Sequence, residues 1–442
     1  MSQRSYLECN CNLFPFKLFF LPLSQPLFSS TQSESDQHQV YEDCFHCLRD
    51  IFTELKEYRA FELVRSSRPR CEYMLASEAR IVAMTCTHAA IARQRLIESG
   101  FYFDTLVIEE AGQVLELESF IPLFLQNSTS VESCHMKRMI LLGDHNQLPP
   151  IVQSPSLAHS THLDQSLFTR LIRLGVPHIT LDAQGRCRPS LACLFSWKYP
   201  GLKNLPHVCD ESQSGFIQAN TSLRYDYQVI NVNEYEGEGE MESQPHSFQN
   251  RGEAEYVIAM YQYLRLCGYP ADLITILTPY RGQRELLRTL LRERCEKNPL
   301  FGMPYRVTTV DKYQGQQNDM ILLSLVRTQS VGYLRDVRRM IVAMSRARLG
   351  LYIFCRVSLF CECVELKPIF DQLLQRPQTL QLVEGEYYPT KRLLNEESKA
   401  FEVQDMNHMI AIVCQYYEMR RKQYIEQWEA TTKENSMEEE EK

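Results

Sequence analysis

The chain has 442 residues, enough for two or three domains and more than one hydrophobic core. Its 44% hydrophobic and 23% charged content is that of an ordinary globular protein, and its 16 scattered cysteines, several inside apolar runs, argue against a disulfide framework. The net charge of −8 does not exclude a nucleic-acid partner: residues 426–442 hold seven Glu and two Lys, a net of −5, and a body near −3 can still carry a basic groove.

Residues 13–28 are apolar, but Pro15, Lys17, Pro22 and Pro26 interrupt them before the ~20 residues a spanning helix needs. Together with the polar residues 31–40 they read as a connector, 1–40. Nothing else resembles a membrane span. An amphipathic pattern predicts a helix over 41–66. It contains Cys44-Phe45-His46-Cys47, the only C-x-x-C, and no second pair stands at a structural-zinc spacing unless Cys9 and Cys11 complete it; packing is the expected role.

Strand and helix patterns then alternate: strand 79–84, helix 88–99, strand 104–108, helix 113–125, strand 139–142, helix 163–174, strand 178–181. Such alternation predicts a parallel sheet with helices on both faces. Residues 210–252 are rich in Glu, Ser, Gln, Asn and Gly and read as a connector or insertion, with a strand-like island at 225–232 and a mobile part at 234–242. Asn250 and Glu253 have the spacing of a capping box and open a helix through Cys267. The alternation resumes with strand 273–277, helix 283–294, strands 307–310 and 320–326, helix 336–345 and strand 351–354. The last ~65 residues read as helices, with order ending after Glu429 by composition.

Two polar loops stand where predicted parallel strands end, the edge at which open α/β sheets place their chemistry. The first is Glu109-Glu110-Ala111-Gly112-Gln113. One of two adjacent carboxylates there can hold hydrated Mg²⁺ while the other orients or deprotonates a water; alone, the pair reads as a solvated strand end. The second is Gly143-Asp144-His145-Asn146-Gln147-Leu148-Pro149-Pro150. In it Asp144 can hold a metal-bound water, Gln147 can sense a phosphate oxygen, and the double proline stiffens the loop.

Gln184-Gly185-Arg186 follows the 178–181 strand, and Arg186 there can neutralise developing phosphoryl charge or merely pair with a surface carboxylate. Arg346 and Arg348, two residues apart, cannot share a helix face, so one can enter a cleft while the other braces. Thr308 to Gln317 is dense in hydroxyls and amides suited to phosphate or ribose. Thr85-Cys86-Thr87-His88 and Thr278-Pro279-Tyr280-Arg281 follow strands too. Their hydroxyls suit nucleic-acid phosphates and Tyr280 can stack on a base, although capping would also explain the threonines.

In this order the segments resemble the motor core of superfamily 1 helicases of the DEAxQ type, the DNA2/NAM7-like group, over residues 79–354, and within it the intron-binding RNA helicases of the spliceosome. The resemblance implies an α/β fold: two RecA-like parallel-sheet domains, 41–180 and 181–375, with a helical, acidic C-terminal extension, 376–442. It implies Glu110 as catalytic base and Glu109 as the Mg²⁺-associated carboxylate acting through water. It further implies Gln147 as γ-phosphate sensor, Arg186 and Arg346 as arginine fingers, and Asp144, Gln184 and Gln317 on the nucleotide. Thr85, Thr278, Pro279, Tyr280 and Thr309 would contact the strand. ATP, Mg²⁺, single-stranded intron RNA, spliceosomal proteins, no membrane and a nuclear location follow from the same resemblance.

The sequence departs from that pattern in four places. Glu109 stands for Asp, Gly185 for a base-stacking Tyr, and Gln317 for a Glu beside the ribose. None of the 17 glycines is followed by Lys, so the G-x-x-x-x-G-K-[ST] loop that cradles the β- and γ-phosphates does not occur. The first RecA-like domain is therefore expected to be incomplete, in a truncated product or a shortened paralogue, and ATP turnover close to nil. A catalytically silent RNA- or spliceosome-binding scaffold and a DNA-directed repair helicase are the alternative readings.

Overall fold

The computed structural model describes residues 34–63, 66–125, 135–152, 154–209 and 214–440. The apolar residues 13–28, with Cys9 and Cys11, lie outside them. The chain divides into two compact units, 1–108 with 117–140, and 109–116 with 141–442.

In the first unit, α1 (Glu34–Leu63) starts earlier than predicted, because the polar residues 34–40 are tolerable in a helix and continue it instead of looping. Cys44 and Leu48, four apart, are buried on one face while Cys47 is exposed. Among the described residues no group of three metal-ligating side chains forms. Helix α2 (Ser67–Tyr73) runs into a π-helical turn, Met74–Glu78. Residues 79–84, predicted as a strand, pair with no strand among the described residues, and Ile81 is 91% exposed. β-prone residues become a strand only where a neighbour takes up their backbone groups.

Helix α3 (Cys86–Glu98) is capped by Thr85, whose hydroxyl accepts from the His88 N–H at 3.1 Å. Strands β1 (Thr105–Ile108) and β2 (Arg138–Leu141) pair as a two-stranded sheet. The predicted helix 113–125 is instead broken into a 3-10 turn (Ala111–Gln113), α4 (Glu116–Phe120) and a second 3-10 turn (Pro122–Phe124) opened by its proline. The small core of this unit gathers Ala89, Leu96, Phe101 and Leu125.

The second unit opens with α5 (Pro155–Thr161) and α6 (Leu167–Arg173), capped by Ser154 and Ser166. Residues 178–181, the other predicted strand, are also unpaired, with Ile179 94% and Leu181 87% exposed. The two-residue strands β3 (Ala183–Gln184) and β4 (Lys203–Asn204) run parallel on either side of α7 (Pro189–Ser196). Helices α8 (Pro206–Cys209) and α9 (Ser214–Ile217) follow.

The main sheet is parallel throughout, in the order β5-β11-β10-β8-β9. Its strands are β5 (Tyr227–Asn231), β8 (Ile274–Thr278), β9 (Arg306–Thr309), β10 (Asn318–Ser324) and β11 (Ala347–Cys355). Side chains alternate between two buried cores, as period two requires. Met320, Leu322, Tyr352 and Phe354 join α10 (Arg251–Leu266), α11 (Arg281–Leu291) and α15 (Met406–Glu440). Ile321, Leu323, Leu351 and Ile353 join α7, α12 (Val337–Met344), α13 (Val357–Cys361) and α14 (Lys367–Leu373).

Three expectations change here. The 225–232 island is an outer strand of this sheet, not an isolated element of an insertion. The stretch expected to be mobile enters the antiparallel hairpin of β6 (Glu240–Gln244) and β7 (Ser247–Asn250), where the buried Glu240 carboxylate meets Arg327 at 3.1 Å and accepts from the Thr328 N–H. The C-terminal region is not purely helical: β12 (Gln381–Val383) pairs with β13 (Ala400–Glu402), and α15 then continues to Glu440, past the predicted end of order.

The predicted capping box at α10 is half made. The Asn250 side chain accepts from the Glu253 N–H at 3.0 Å and its amide donates to Glu253 Oε1 at 3.5 Å, but Glu253 does not take up the Asn250 N–H. Its buried carboxylate accepts instead from Ser324 Oγ at 2.6 Å and the Val326 N–H at 2.8 Å, while the Asn250 N–H donates to Gln283. Burial pushes the Glu253 carboxyl from its ordinary 4.5 up to about 8. The unfolded chain releases this proton near pH 4.5 and the folded chain near 8, so the contribution to stability is complete below the lower value and is lost as pH rises through the higher. Denaturant unfolding at pH 5 and pH 8 should show the parent losing more than about 1 kcal/mol that Glu253→Gln retains. A variant with the parent's pH slope would show that this carboxyl is ionised in the folded chain.

Candidate nucleotide site

Everything in this site belongs to the second unit. Glu110 has a left-handed backbone, φ 51°, a conformation a non-glycine residue keeps only where its surroundings impose it. The next N–H, of Ala111, donates to the Leu142 carbonyl at 2.8 Å. Gly112 packs on the Asp144 backbone, where a Cβ would come within 2.9 Å of the carbonyl oxygen. The two polar loops picked from the sequence are thus held backbone to backbone. The Glu110 carboxylate accepts from the side-chain amides of Gln113 and Gln314, each at 3.2 Å, while Glu109 is exposed.

Residues 314–317 tie that carboxylate to both arginines. Arg346 is buried and spends every nitrogen inside the fold: Nε donates to the Val342 carbonyl, Nη1 to the Gln316 carbonyl and Nη2 to Ser345 Oγ. Burial, and then Arg186 nearby, lower its pKa to about 10, with Glu110 opposing, so it remains charged at neutral pH. Arg186 donates from Nε to Gln317 Oε1 at 2.6 Å and from Nη1 to the Ser345 carbonyl at 3.2 Å. In this arrangement Arg346 is a brace, and Arg186 is the arginine with hydrogen-bonding capacity left. Arg348 braces as well, against Asp319 at 2.5 Å.

Gln184 is occupied at both ends. Its oxygen accepts from the Arg186 and Cys187 N–H groups, and its nitrogen donates to the Cys187 carbonyl and Asn204. It shapes the Arg186 turn and has no free end for a nucleotide. At Gly185 the space a side chain would need is filled: a Cβ would lie 2.6 Å from the His207 ring, whose Nε2 meets the Gly185 carbonyl at 2.8 Å.

Asp144 is similarly saturated. Oδ1 accepts from the Asn146 N–H at 2.9 Å, and Oδ2 from Gln147 Nε2 at 2.8 Å and the Tyr199 hydroxyl at 2.7 Å. Its expected role in holding a metal-bound water gives way to one in orienting Gln147. Tyr199 escaped the sequence reading, since it lies 55 residues from Asp144 with no local pattern around it. Burial and the Asp144 carboxylate raise its pKa well above the phenol value, so it is a hydrogen-bond donor at all ordinary pH. Gln314 and Ser345 are further residues whose part only the fold reveals.

Of the residues expected on a nucleic-acid strand, Thr278, Pro279, Tyr280 and Thr309 are buried. Phe248 and Tyr333 pack edge-on against the Tyr280 ring, with centroids 5.4 and 4.8 Å away, and the Tyr333 hydroxyl donates to the Pro279 carbonyl. Base stacking on Tyr280 is therefore corrected to packing. Thr85, exposed, lies in the first unit as a helix cap.

The donor set suits an outer phosphate in one respect, a half-buried Arg186 beside the carboxylate loop. Among the described residues it has no backbone cradle. For Mg²⁺, Glu109 is an exposed carboxylate with no hydrogen bond among the described residues, whereas both Asp144 oxygens are engaged.

Residues 29–155 and 163–358 each match a family model described as an AAA domain. With this match and the relatives below, the chain belongs to the superfamily 1 helicases. It is 52% identical to mouse RNA helicase aquarius over 406 residues, 92% of this chain and 27% of that protein. It is 28% identical to the pre-mRNA-splicing factor cwf11 of Schizosaccharomyces pombe over 411 residues, 92% and 31% of the two chains. The Arabidopsis thaliana regulator of nonsense transcripts 1 homologue is 29% identical over 322 residues, 71% and 24%. The chain thus spans between 24% and 31% of these relatives' lengths.

Two substitutions test the geometry. Tyr199→Phe removes a donor from a half-buried carboxylate and should cost about 1–2 kcal/mol in urea unfolding. Gly185→Ala forces the His207 ring aside and should cost about 1–3 kcal/mol. Parent-like unfolding midpoints would show that neither contact is made in solution.

Proposed function

We propose that this chain is part of an ATP-dependent RNA helicase core acting in pre-mRNA splicing in the nucleus, and that as it stands it does not turn ATP over. The observation that carries the reading is the segment 314–317, which links Glu110 to Arg186 and Arg346 in one hydrogen-bonded network. The similarity to mouse aquarius and to cwf11 supports the splicing context, with single-stranded RNA and spliceosomal proteins as partners. Residues 41–180 and 181–375 form the two motor halves in this reading.

ATP with Mg²⁺ supplies the phosphoanhydride whose cleavage drives such motors. In a complete motor Glu110, held in place by Gln113 and Gln314, would accept a proton from the attacking water. Arg186 would neutralise charge on the outer phosphate, and Gln147, in an orientation set by Asp144 and Tyr199, would sense it. Glu109 is the carboxylate for a hydrated Mg²⁺. Without a Gly-Lys loop, no backbone cradle or lysine holds the β- and γ-phosphates.

A catalytically silent RNA- or spliceosome-binding module is the second reading, favoured by the absent lysine and by an Arg346 wholly committed to the fold. The purified chain should show no Mg²⁺-ATP hydrolysis above buffer, and Glu110→Gln should leave that baseline unchanged, while fluorescence anisotropy detects a labelled RNA strand binding. Turnover that Glu110→Gln abolishes would overturn the claim of inactivity. A chain that binds no RNA would remove the RNA-directed reading.

A further inference from the structure

The outward face of α11 takes no part in the network described above, and its charge is one-sided. Leu287, Leu290 and Leu291 turn into the core. Arg281, Arg284 and Arg288 fall on the opposite face, with Arg292 at the first position of the π-helical turn that follows. We infer that this arginine stripe is a docking track for the sugar–phosphate backbone of RNA; the inference rests on the RNA-binding reading above and gives it a site indifferent to base identity.

The stripe works against its own helix. Arg284, Arg288 and Arg292 follow one another at intervals of four, where like charges destabilise a helix. Arg281 and Arg284 stand in the first turn, which holds no acidic residue and where the helix dipole disfavours cations. Glu285 lies among them and pairs with Arg284 at 2.5 Å. Arg284 first, then Arg288 and Arg292, hold its carboxyl below the ordinary range. The side chains of Arg281, Arg288 and Arg292 make no hydrogen bond or ion pair among the described residues. Arg294, by contrast, is committed to the buried Glu255 carboxylate at 2.9 Å.

A row of cations that costs the helix stability and leaves three guanidiniums unpartnered calls for an extended anion. At 1.5 Å per residue the row is about 16 Å long. That length meets four or five phosphates at the duplex spacing of ~3.4 Å, and fewer of an extended strand. Guanidinium forks match phosphate oxygens in pairs. A folded protein partner would need an apolar centre to bury, and no large apolar side chain of α11 is exposed.

Position agrees with charge. The helix begins just past β8, at the edge of a parallel sheet where ligands bind. Burial holds the Asp311 carboxyl above its ordinary value, with Arg339 and Arg281 opposing. Arg281 is thus within electrostatic reach of the turn that leads into residues 314–317.

Anisotropy titrations of the full chain with labelled oligo(U), repeated across a salt series, test this. Arg288→Gln combined with Arg292→Gln should weaken binding at least about fivefold and lower the salt slope by about 1.4, at ~0.7 per phosphate contact of a single strand. Labelled oligo(A) should lose affinity by the same factor. Glu285→Gln frees Arg284 and should tighten binding about twofold, a gain that no misfolded variant can imitate. Should the double variant fail to fold by circular dichroism, Glu285→Gln decides the question. Parent affinity and slope in the double variant, or in its place parent affinity in Glu285→Gln, overturns the stripe and leaves the RNA reading standing. No RNA binding by the parent overturns both. Displacement of the strand by polyglutamate as readily as by unlabelled RNA of equal charge would assign the stripe to an acidic polypeptide and overturn the proposal.

Discussion

A buried guanidinium organises the site. Arg346 sits at the end of α12 with almost no solvent contact, and removing such a charge from water is tolerable only if its donors are met. Val342, Gln316 and Ser345 meet them. In doing so they fasten the polar segment 314–317 against the helix end. That fastening presents Gln317 to Arg186 and Gln314 to Glu110. The same residue that looks, from its motif, like a group aimed at substrate is first a structural pin.

The pin works because the sheet beneath it is rigid. Strands β10 and β11 bury side chains on both faces, into two separate cores, so the loops at their ends have little freedom to drift. Arg188, just beyond the Arg186 turn, extends this fixing: its guanidinium is buried and bonded to carbonyls of Phe216, Leu349 and Gly215 and to Asn220. A similar economy holds at the far end of β10. There Arg327 lies 3.9 Å from the centre of the Phe248 ring and pairs with Glu240, closing the hairpin over Tyr280. Residues that would be exposed contacts on a bare strand end are interior here because the hairpin covers them.

The two unpaired stretches show the opposite case. Residues 79–84 and 178–181 have the β-branched, alternating character of strands, yet Ile81, Ile179 and Leu181 stand in solvent. Period and propensity describe what a segment can do when a neighbour accepts its backbone hydrogen bonds; they do not supply the neighbour.

Much of this protein was readable in its residues one at a time. The parallel α/β character, the strands of the main sheet to within a few residues, the Asn250 cap and the grouping of polar loops at strand ends all follow from local periodicity, capping and turn chemistry, which act over a few neighbours in the chain. Tertiary structure alone decided which polar groups were free. Tyr199 reaches Asp144 across 55 residues, and Gln314 reaches Glu110 across 204. Tyr280 vanished beneath a hairpin whose Glu-rich sequence looked mobile. Burial and hydrogen-bond saturation are properties of three-dimensional neighbours, and a side chain's chemistry is open to a ligand only after the fold has taken its own share.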